Sequence, residues 1–86
     1  MAKGMEKEKY LNAEIVNRKL IFEGEYLNGD KNGKGKEYDD ETGILIFEGE
    51  YLDDQKNGKG KEYDINGNLI FEGEYLDGLR TGKGKE

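Results

Sequence analysis

The eight-residue string LIFEGEYL occurs three times in this chain of 86 residues, at 20–27, 45–52 and 69–76. A repeated string constrains the fold strongly, because equal units stack into an extended array in which each unit contacts only its neighbours. The glycine-rich string GKGKE follows each copy, at 33–37, 58–62 and 82–86. The sequence therefore predicts a repeat domain over residues 20–86, with units that begin near residues 22, 47 and 71.

Composition argues against a conventional globular core. Only 33% of the residues are hydrophobic and 40% are charged. This is too little apolar surface to form a core between two packed layers of secondary structure. Such a composition is also compatible with disorder. The matching positions of aromatic residues and glycines in the three units favour a folded, thin and extended structure instead.

Each unit is predicted to contain two short strands. In LIFEGEYL, residues such as Phe71 and Tyr75 alternate with glutamates, which is the period of two that a strand requires. Six residues rich in Asn, Asp and Gly follow, at 28–33 in the first unit, and predict a turn. The string KGKEYD then supplies the second strand of a hairpin. Gly43 and Gly67, which close the units, are expected in a left-handed turn conformation.

The distance between repeats differs by one residue. The extra residue lies between Tyr38 and Phe47, in comparison with the segment between Tyr63 and Phe71. Insertions are tolerated in turns, so this segment is predicted to be one.

The charges predict how the two strands of a hairpin pair. Antiparallel pairing in which the numbers of paired residues add to an odd sum, 59 or 61 in the first unit, places glutamates of one strand on the same face as lysines of the next, namely Glu23, Glu25, Lys34 and Lys36. Opposite charges across strands are stabilising. The same register puts the aromatic rings on the other face, over Gly33 and Gly35, which have no side chains. We therefore predict odd pairing sums.

Residues 1–19 fit the repeat less well and are predicted to form an N-terminal cap or a degenerate repeat. Lys3–Tyr10 resembles KGKGKEY, whereas Tyr10–Glu14 resembles YLNGD, and the two alignments exclude each other. A short helix over Met5–Leu20 is a third possibility, since good helix formers are dense there. Any of these would cover the first strand of the repeat domain.

The repeating positions resemble the MORN repeat, whose pattern runs aromatic, x, Gly, x, aromatic, then Asn-Gly and further spaced glycines. The first unit matches at Phe22, Gly24, Tyr26, Gly29, Gly33 and Gly35, and the other two units match similarly. The Phe at the first aromatic position and the flanking glutamates resemble the variant class of this repeat. The second unit departs from the pattern by having Asp54 where Gly29 and Gly78 stand, which bears on its turn type.

This resemblance implies an all-β fold: a single-layer, twisted antiparallel sheet of tandem β-hairpins. It also implies a non-catalytic scaffold or tethering role in protein association or self-assembly. The alternative that the family suggests is a module that binds phospholipid headgroups or a membrane surface. The acidic repeats do not favour that alternative, because anionic lipids attract basic segments.

Catalysis and cofactor binding find little support in the residues. The chain has no Cys and no His, and it also lacks Ser, so the common nucleophiles and thiolate zinc ligands are missing. The paired glutamates recur opposite lysines, which favours a solvated charge ladder over an acid/base pair. The string GKGK lies in a strand without a following helix, unlike a phosphate-binding loop. We expect no enzyme activity, no cofactor and no metal site.

The aromatic residues are the candidate functional feature. They are predicted to stack as the core of the sheet or to leave a strip open to a protein partner, and the candidate partner-contact residues are Phe22, Tyr26, Phe47, Tyr51, Phe71 and Tyr75. Free edge strands are a second candidate for self-association into a homo-oligomer. The net charge of −6 argues against nucleic acid as a partner. No apolar run approaches the length of a membrane span or signal peptide, so we expect a cytoplasmic location.

Overall fold

The computed structural model describes residues 8–85, with the backbone alone at Lys83 and Lys85. The described chain forms seven strands and no helix: β1 Tyr10–Val16, β2 Lys19–Leu27, β3 Asp30–Tyr38, β4 Leu45–Leu52, β5 Gln55–Tyr63, β6 Leu69–Leu76 and β7 Leu79–Lys85. They lie in chain order in one antiparallel sheet, and its extents of 49 × 33 × 13 Å are those of a single layer. The predicted all-β sheet of tandem hairpins is confirmed.

The hairpins close with two-residue turns, so the predicted six-residue turn was wrong. The turn pairs are Asn17 and Arg18, Asn28 and Gly29, Asp53 and Asp54, and Asp77 and Gly78, all with φ between 51° and 87°. Positive φ at both central residues is the signature of the type I′ turn, whose twist matches that of the flanking strands. The residues after each turn continue the second strand instead of extending the turn.

Asp54 adopts the same left-handed conformation as Gly29 and Gly78, with a φ of 72°. Its N–H donates to the carbonyl of Lys31 at 3.0 Å, as the N–H of Gly78 does to Lys56 at 2.9 Å. The Asp54 carboxylate also accepts the N–H of Lys31 at 2.7 Å. The turn type is therefore unchanged in the second unit. The extra bond to the preceding unit stabilises Asp54 in a left-handed backbone conformation that is less strained for glycine.

A bulge in the hairpin of each repeat unit accommodates the residues that were predicted to belong to the turn. Gly24 pairs with Gly35 but Tyr26 pairs with Lys31, so Glu25 alone stands opposite three residues of β3. Gly33, at the middle of the bulge, has a φ of 110°. The Glu25 carboxylate lies over it and accepts the N–H of Lys34 at 2.7 Å. Glu50 binds Lys59 in the same way at 2.9 Å.

The predicted odd sum of 59 is confirmed for the pairs from Phe22 to Gly24. Beyond the bulge the sum is 57, which was not predicted but is also odd, because the register shifts there by two residues and preserves the faces. Glu23 stands opposite Lys36, and Glu48 stands opposite Lys61. The expectation that these opposite charges form ion pairs across the strands was wrong, however. Among the described side chains, the ion pairs lie on the aromatic face and join Lys31 to Glu14, Lys56 to Glu37 and Arg80 to Glu62.

The connections between units are capped by an aspartate. The Asp39 carboxylate accepts the N–H of Glu41 and of Thr42, and these bonds lower its pKa. Asp64 accepts the N–H groups of Asn66 and Asn68 in the shorter connection. Gly43 and Gly67 have φ of 76° and 85°, as predicted, and the extra residue of the first connection lies in this turn.

β1 occupies the place of a second repeat strand. Asn12 pairs with Gly24 and Glu14 pairs with Phe22, as Gly35 pairs with Gly49 and Glu37 with Phe47. Tyr10 thus corresponds to Gly33, which neither of the two sequence alignments proposed. The predicted helix over Met5–Leu20 was wrong for the residues of that range that the structure describes, since β1 lies there. Residues 1–7 lie outside the described part, and the division of the chain at residue 19 stays a prediction.

We expect Gly35→Ala to lower the free energy of unfolding by about 2 kcal/mol or more, because overpacked sites force neighbours to move. A Cβ at Gly35 would lie 2.5 Å from Cζ of Phe22, whose ring is buried. Urea unfolding followed by circular dichroism measures the change. Gly29→Asn is the matched control, since a Cβ there meets nothing within 4 Å and Asn accepts positive φ. Equal losses in the two variants would contradict the steric account.

Candidate functional site

The six candidate aromatic residues lie on one face of the sheet and form its core. The exposed fractions are 1% for Phe22 and Phe47, 3% for Phe71, 5% for Tyr51 and 4% for Tyr75. Tyr26 is half-buried and packs against this cluster. The core interpretation of the aromatic residues therefore accounts for most of their surface. Contact between these rings and a partner stays a prediction.

The rings contact each other edge to face in one continuous row. Phe22 lies 5.7 Å from Tyr26 of its own unit and 5.2 Å from Tyr51 of the next, measured between ring centroids. Phe47 repeats this arrangement with Tyr51 and Tyr75. These geometries suit the ring quadrupoles, with the positive edge of one ring against the negative face of another. At the end of the row near β1, Tyr10 stacks on Tyr26 with their ring centroids 5.8 Å apart, so the last ring of the row comes from a residue outside the repeat units.

A glycine of the following strand lies directly beneath each phenylalanine. An added Cβ would approach the ring tip, Cζ, to 2.5 Å at Gly35 for Phe22, to 2.6 Å at Gly60 for Phe47 and to 2.8 Å at Gly84 for Phe71. These distances are far inside van der Waals contact. The rings can therefore lie on the backbone of the sheet only because these positions have no side chain.

A cation covers the other side of each phenylalanine. Nζ of Lys31 lies 4.2 Å from the centroid of Phe22, and Lys56 and Arg80 take the same position over Phe47 and Phe71. Each cation is also paired with a glutamate, at 3.7 Å for Glu14, 3.6 Å for Glu37 and 2.9 Å for Glu62. The cation–π contact and the ion pair act together to exclude water from a ring that has no second layer above it.

The hydroxyl groups of the two buried tyrosines also form hydrogen bonds. Tyr51 donates to the carboxylate of Glu37 at 2.5 Å, and Tyr75 donates to Glu62. Burial and these hydrogen bonds raise the pKa of both tyrosines, while the Arg80 guanidinium lowers the pKa of Glu62. No buried side-chain nitrogen or oxygen lacks a hydrogen bond in the part of the chain that the structure describes. The buried part of the aromatic face therefore offers neither an accessible ring surface nor an unpaired polar atom to a partner.

The opposite face carries a groove of about 1200 Å³ that crosses the strands. A glycine row runs along it, in which each glycine pairs with the next across neighbouring strands: Gly24, Gly35, Gly49, Gly60, Gly73 and Gly84. Charged side chains flank this row on both sides and alternate in sign from strand to strand, for example Glu23, Lys36, Glu48, Lys61 and Glu72. At β1 the pattern changes, and Leu11 and Ala13 stand where the repeats have lysines.

One side of the groove is reinforced by tyrosines of the second strands. Tyr38 donates its hydroxyl hydrogen to Glu23 and Tyr63 donates to Glu48, both at 2.5 Å. These bonds fix two of the glutamates that line the groove. The sequence contained a signal for the groove in the Glu and Lys residues spaced two apart, but those residues predicted a flat charge ladder and not a concave surface.

Two other findings concern sites that the sequence raised. Among residues 8–85, no three or more potential metal-ligating side chains come together. No helix in the same part of the chain is long and apolar enough to cross a membrane.

These features define a class: an array of tandem β-hairpins held together by aromatic residues and glycines. The family model of the MORN repeat matches this chain over residues 22–41, 47–69 and 71–86. The chain therefore belongs to the MORN repeat family, with three tandem units as the sequence predicted. A comparison with curated proteins and another with solved structures gave no match.

We expect alkaline titration to reveal the glutamate-bound tyrosines. The hydrogen bonds that Tyr38 and Tyr63 donate to Glu23 and Glu48 raise the pKa of both tyrosines from 10.0 to about 12. Because these pKa values are raised on folding, the stability that they contribute is complete below about pH 10 and is lost as the pH rises through 12.

Tyrosinate absorbance measures this titration. Glu23→Gln should return the Tyr38 transition toward its ordinary range, since the amide carries no negative charge. Glu41→Gln, in the neighbouring connection, is the matched control. A titration curve that Glu23→Gln leaves unchanged would show that the bond does not persist in solution.

Proposed function

We propose that this protein is a non-catalytic scaffold module that binds a segment of a partner protein in the groove. The observation that carries the proposal is the contrast between the two faces. The aromatic face is closed by Lys31, Lys56 and Arg80 over the rings, whereas the groove presents charged side chains and accessible backbone across the strands. Membership of a family of non-catalytic repeats that commonly serve in binding or as scaffolds supports it.

The charge of the groove favours a protein segment over a polyanion. The side chains that the structure describes in its lining include five glutamates and four lysines, so this part is nearly neutral, although the whole chain has a net charge of −6. A surface that alternates in sign attracts a partner with both acidic and basic residues, and it selects the partner mainly by charge register. Phosphate-rich ligands would need a cluster of cations, whereas the lysines among the described lining residues alternate with glutamates.

The spacing of the charges also restricts the partner. Like charges recur on every second strand, at about 10 Å, because neighbouring strands are about 4.8 Å apart. A segment in the extended polyproline II conformation advances by about the same distance in each turn of three residues, so that every third side chain faces the same side. The proposed partner is therefore an extended segment with charged residues that recur at about every third position.

Selection from a displayed library of random peptides, followed by binding measurements on the enriched sequences, tests this function. We expect the double variant Lys36→Gln/Lys61→Gln to weaken binding about fivefold, from two exposed charge pairs of about 0.5 kcal/mol each. Lys9→Gln/Arg18→Gln is the matched control, because it removes the same charge outside the groove and should bind like the unaltered protein.

Three outcomes would overturn the groove as the binding site. The library yields no enriched peptide, or the enriched peptides bind both double variants equally, or only the control variant loses binding. Sedimentation with anionic vesicles examines the membrane alternative in the same preparation. Vesicle binding that fades with salt, without peptide binding, would favour the lipid-binding function.

A further inference from the structure

β1 differs from the other strands in the surface that it leaves exposed. It carries one charged residue, Glu14, in the sequence YLNAEIV, and that residue is already paired with Lys31 at 3.7 Å. The exposed fractions of Leu11 and Ile15 are 80% and 63%. Within the described residues β2 is its one neighbouring strand, so its outer edge is unpaired. Edge strands are usually protected by charges or proline, and β1 has neither defence along that edge.

The hydrogen bonds show which residues of β1 face outward. The N–H of Ala13 donates to the side-chain oxygen of Asn12 at 2.9 Å, which is a local substitute for a strand partner. Because antiparallel strands direct alternate residues toward alternate neighbours, Leu11, Ala13 and Ile15 present their backbone groups to the outer edge. A second strand placed there would accept and donate these bonds.

We infer that a second copy of this chain pairs with this edge through its own β1, in antiparallel orientation. The seven residues of β1 are self-complementary about Ala13, the fourth. Pairing about Ala13 uses the whole strand and sets Leu11 against Ile15 of the second copy, Tyr10 against Val16 and Asn12 against Glu14. Apolar side chains thus meet apolar side chains, and the Asn12 amide becomes a donor to a carboxylate.

The low charge of β1 favours a second copy in spite of the net charge of −6. β7, the other edge strand of the described residues, carries Arg80, Lys83 and Lys85, so pairing of two copies at β7 would set like charges together. At β1 the pairing sets no two like charges opposite one another. The repulsion that remains is between distant groups and is screened by salt.

Pairing at β1 would also extend the groove. The axis that relates two antiparallel neighbours in a sheet is perpendicular to the sheet, so both grooves open on the same side. Leu11, Asn12 and Ala13 line the end of the groove at β1, so the two grooves meet there. This consequence rests on the proposed function, whereas the pairing of β1 does not.

Sedimentation velocity over a range of concentrations tests the pairing. We expect a dimer whose fraction rises with concentration, and Leu11→Lys should raise its dissociation constant at least about tenfold by placing lysines next to the apolar contact. Leu79→Lys is the matched control, because Leu79 on β7 is 72% exposed and the charge change is the same. A monomer at all concentrations, or equal effects of the two variants, would overturn the inference.

A cysteine variant tests the register. The chain has no cysteine, so Ala13→Cys introduces a single thiol at the proposed two-fold axis. Hydrogen-bonded antiparallel partners have Cα atoms about 5.5 Å apart, within the range that a disulfide spans. We expect mild oxidation to link two copies of Ala13→Cys and to leave Thr81→Cys, on β7, mostly unlinked. Equal linkage would overturn the β1 register, and peptide binding by an Ile15→Lys variant, whose substitution lies outside the groove lining, reports separately on the groove.

Discussion

The contact between a phenylalanine ring and a glycine of the next strand is the interaction on which the sheet depends. Phe22 lies on Gly35 and Phe47 lies on Gly60, and each ring is so close to the glycine that a Cβ there would collide with it. The ring uses the backbone as one wall of its pocket and a cation such as Lys31 as the other. A single layer with 33% hydrophobic residues can in this way bury its rings almost completely.

This way of building a core separates the two faces of the sheet. On the aromatic face, glutamates such as Glu37 serve both a tyrosine hydroxyl and a lysine, so hydrogen bonds and ion pairs extend the core outward. On the other face the glycine row leaves backbone accessible between two sets of alternating charges. The accessible backbone and the lysines of this face are available for binding, which is why we place the proposed function there and not on the rings.

β1 shows how such an array can end. It keeps the register of a second strand and keeps Glu14 for Lys31, but Asn12 replaces the glycine, and Tyr10 stacks on Tyr26. The aromatic row is thereby covered at this end. The strand has also lost the lysines of the repeats, which makes its edge nearly neutral and apolar. The same substitutions that close the core thus create the surface from which we infer self-association.

Periodicity was sufficient to predict the strands, the three units, the odd pairing sums and rings over glycines, because side-chain alternation and cross-strand charge are local properties. The bulge at Glu25, the binding of Glu23 to Tyr38 instead of Lys36, and the register of Tyr10 were not predictable in this way. Each depends on which groups the twisted sheet brings together across strands. The groove likewise forms only where the glycines of neighbouring strands align in one row between charged side chains, an arrangement that no single unit of the sequence contains.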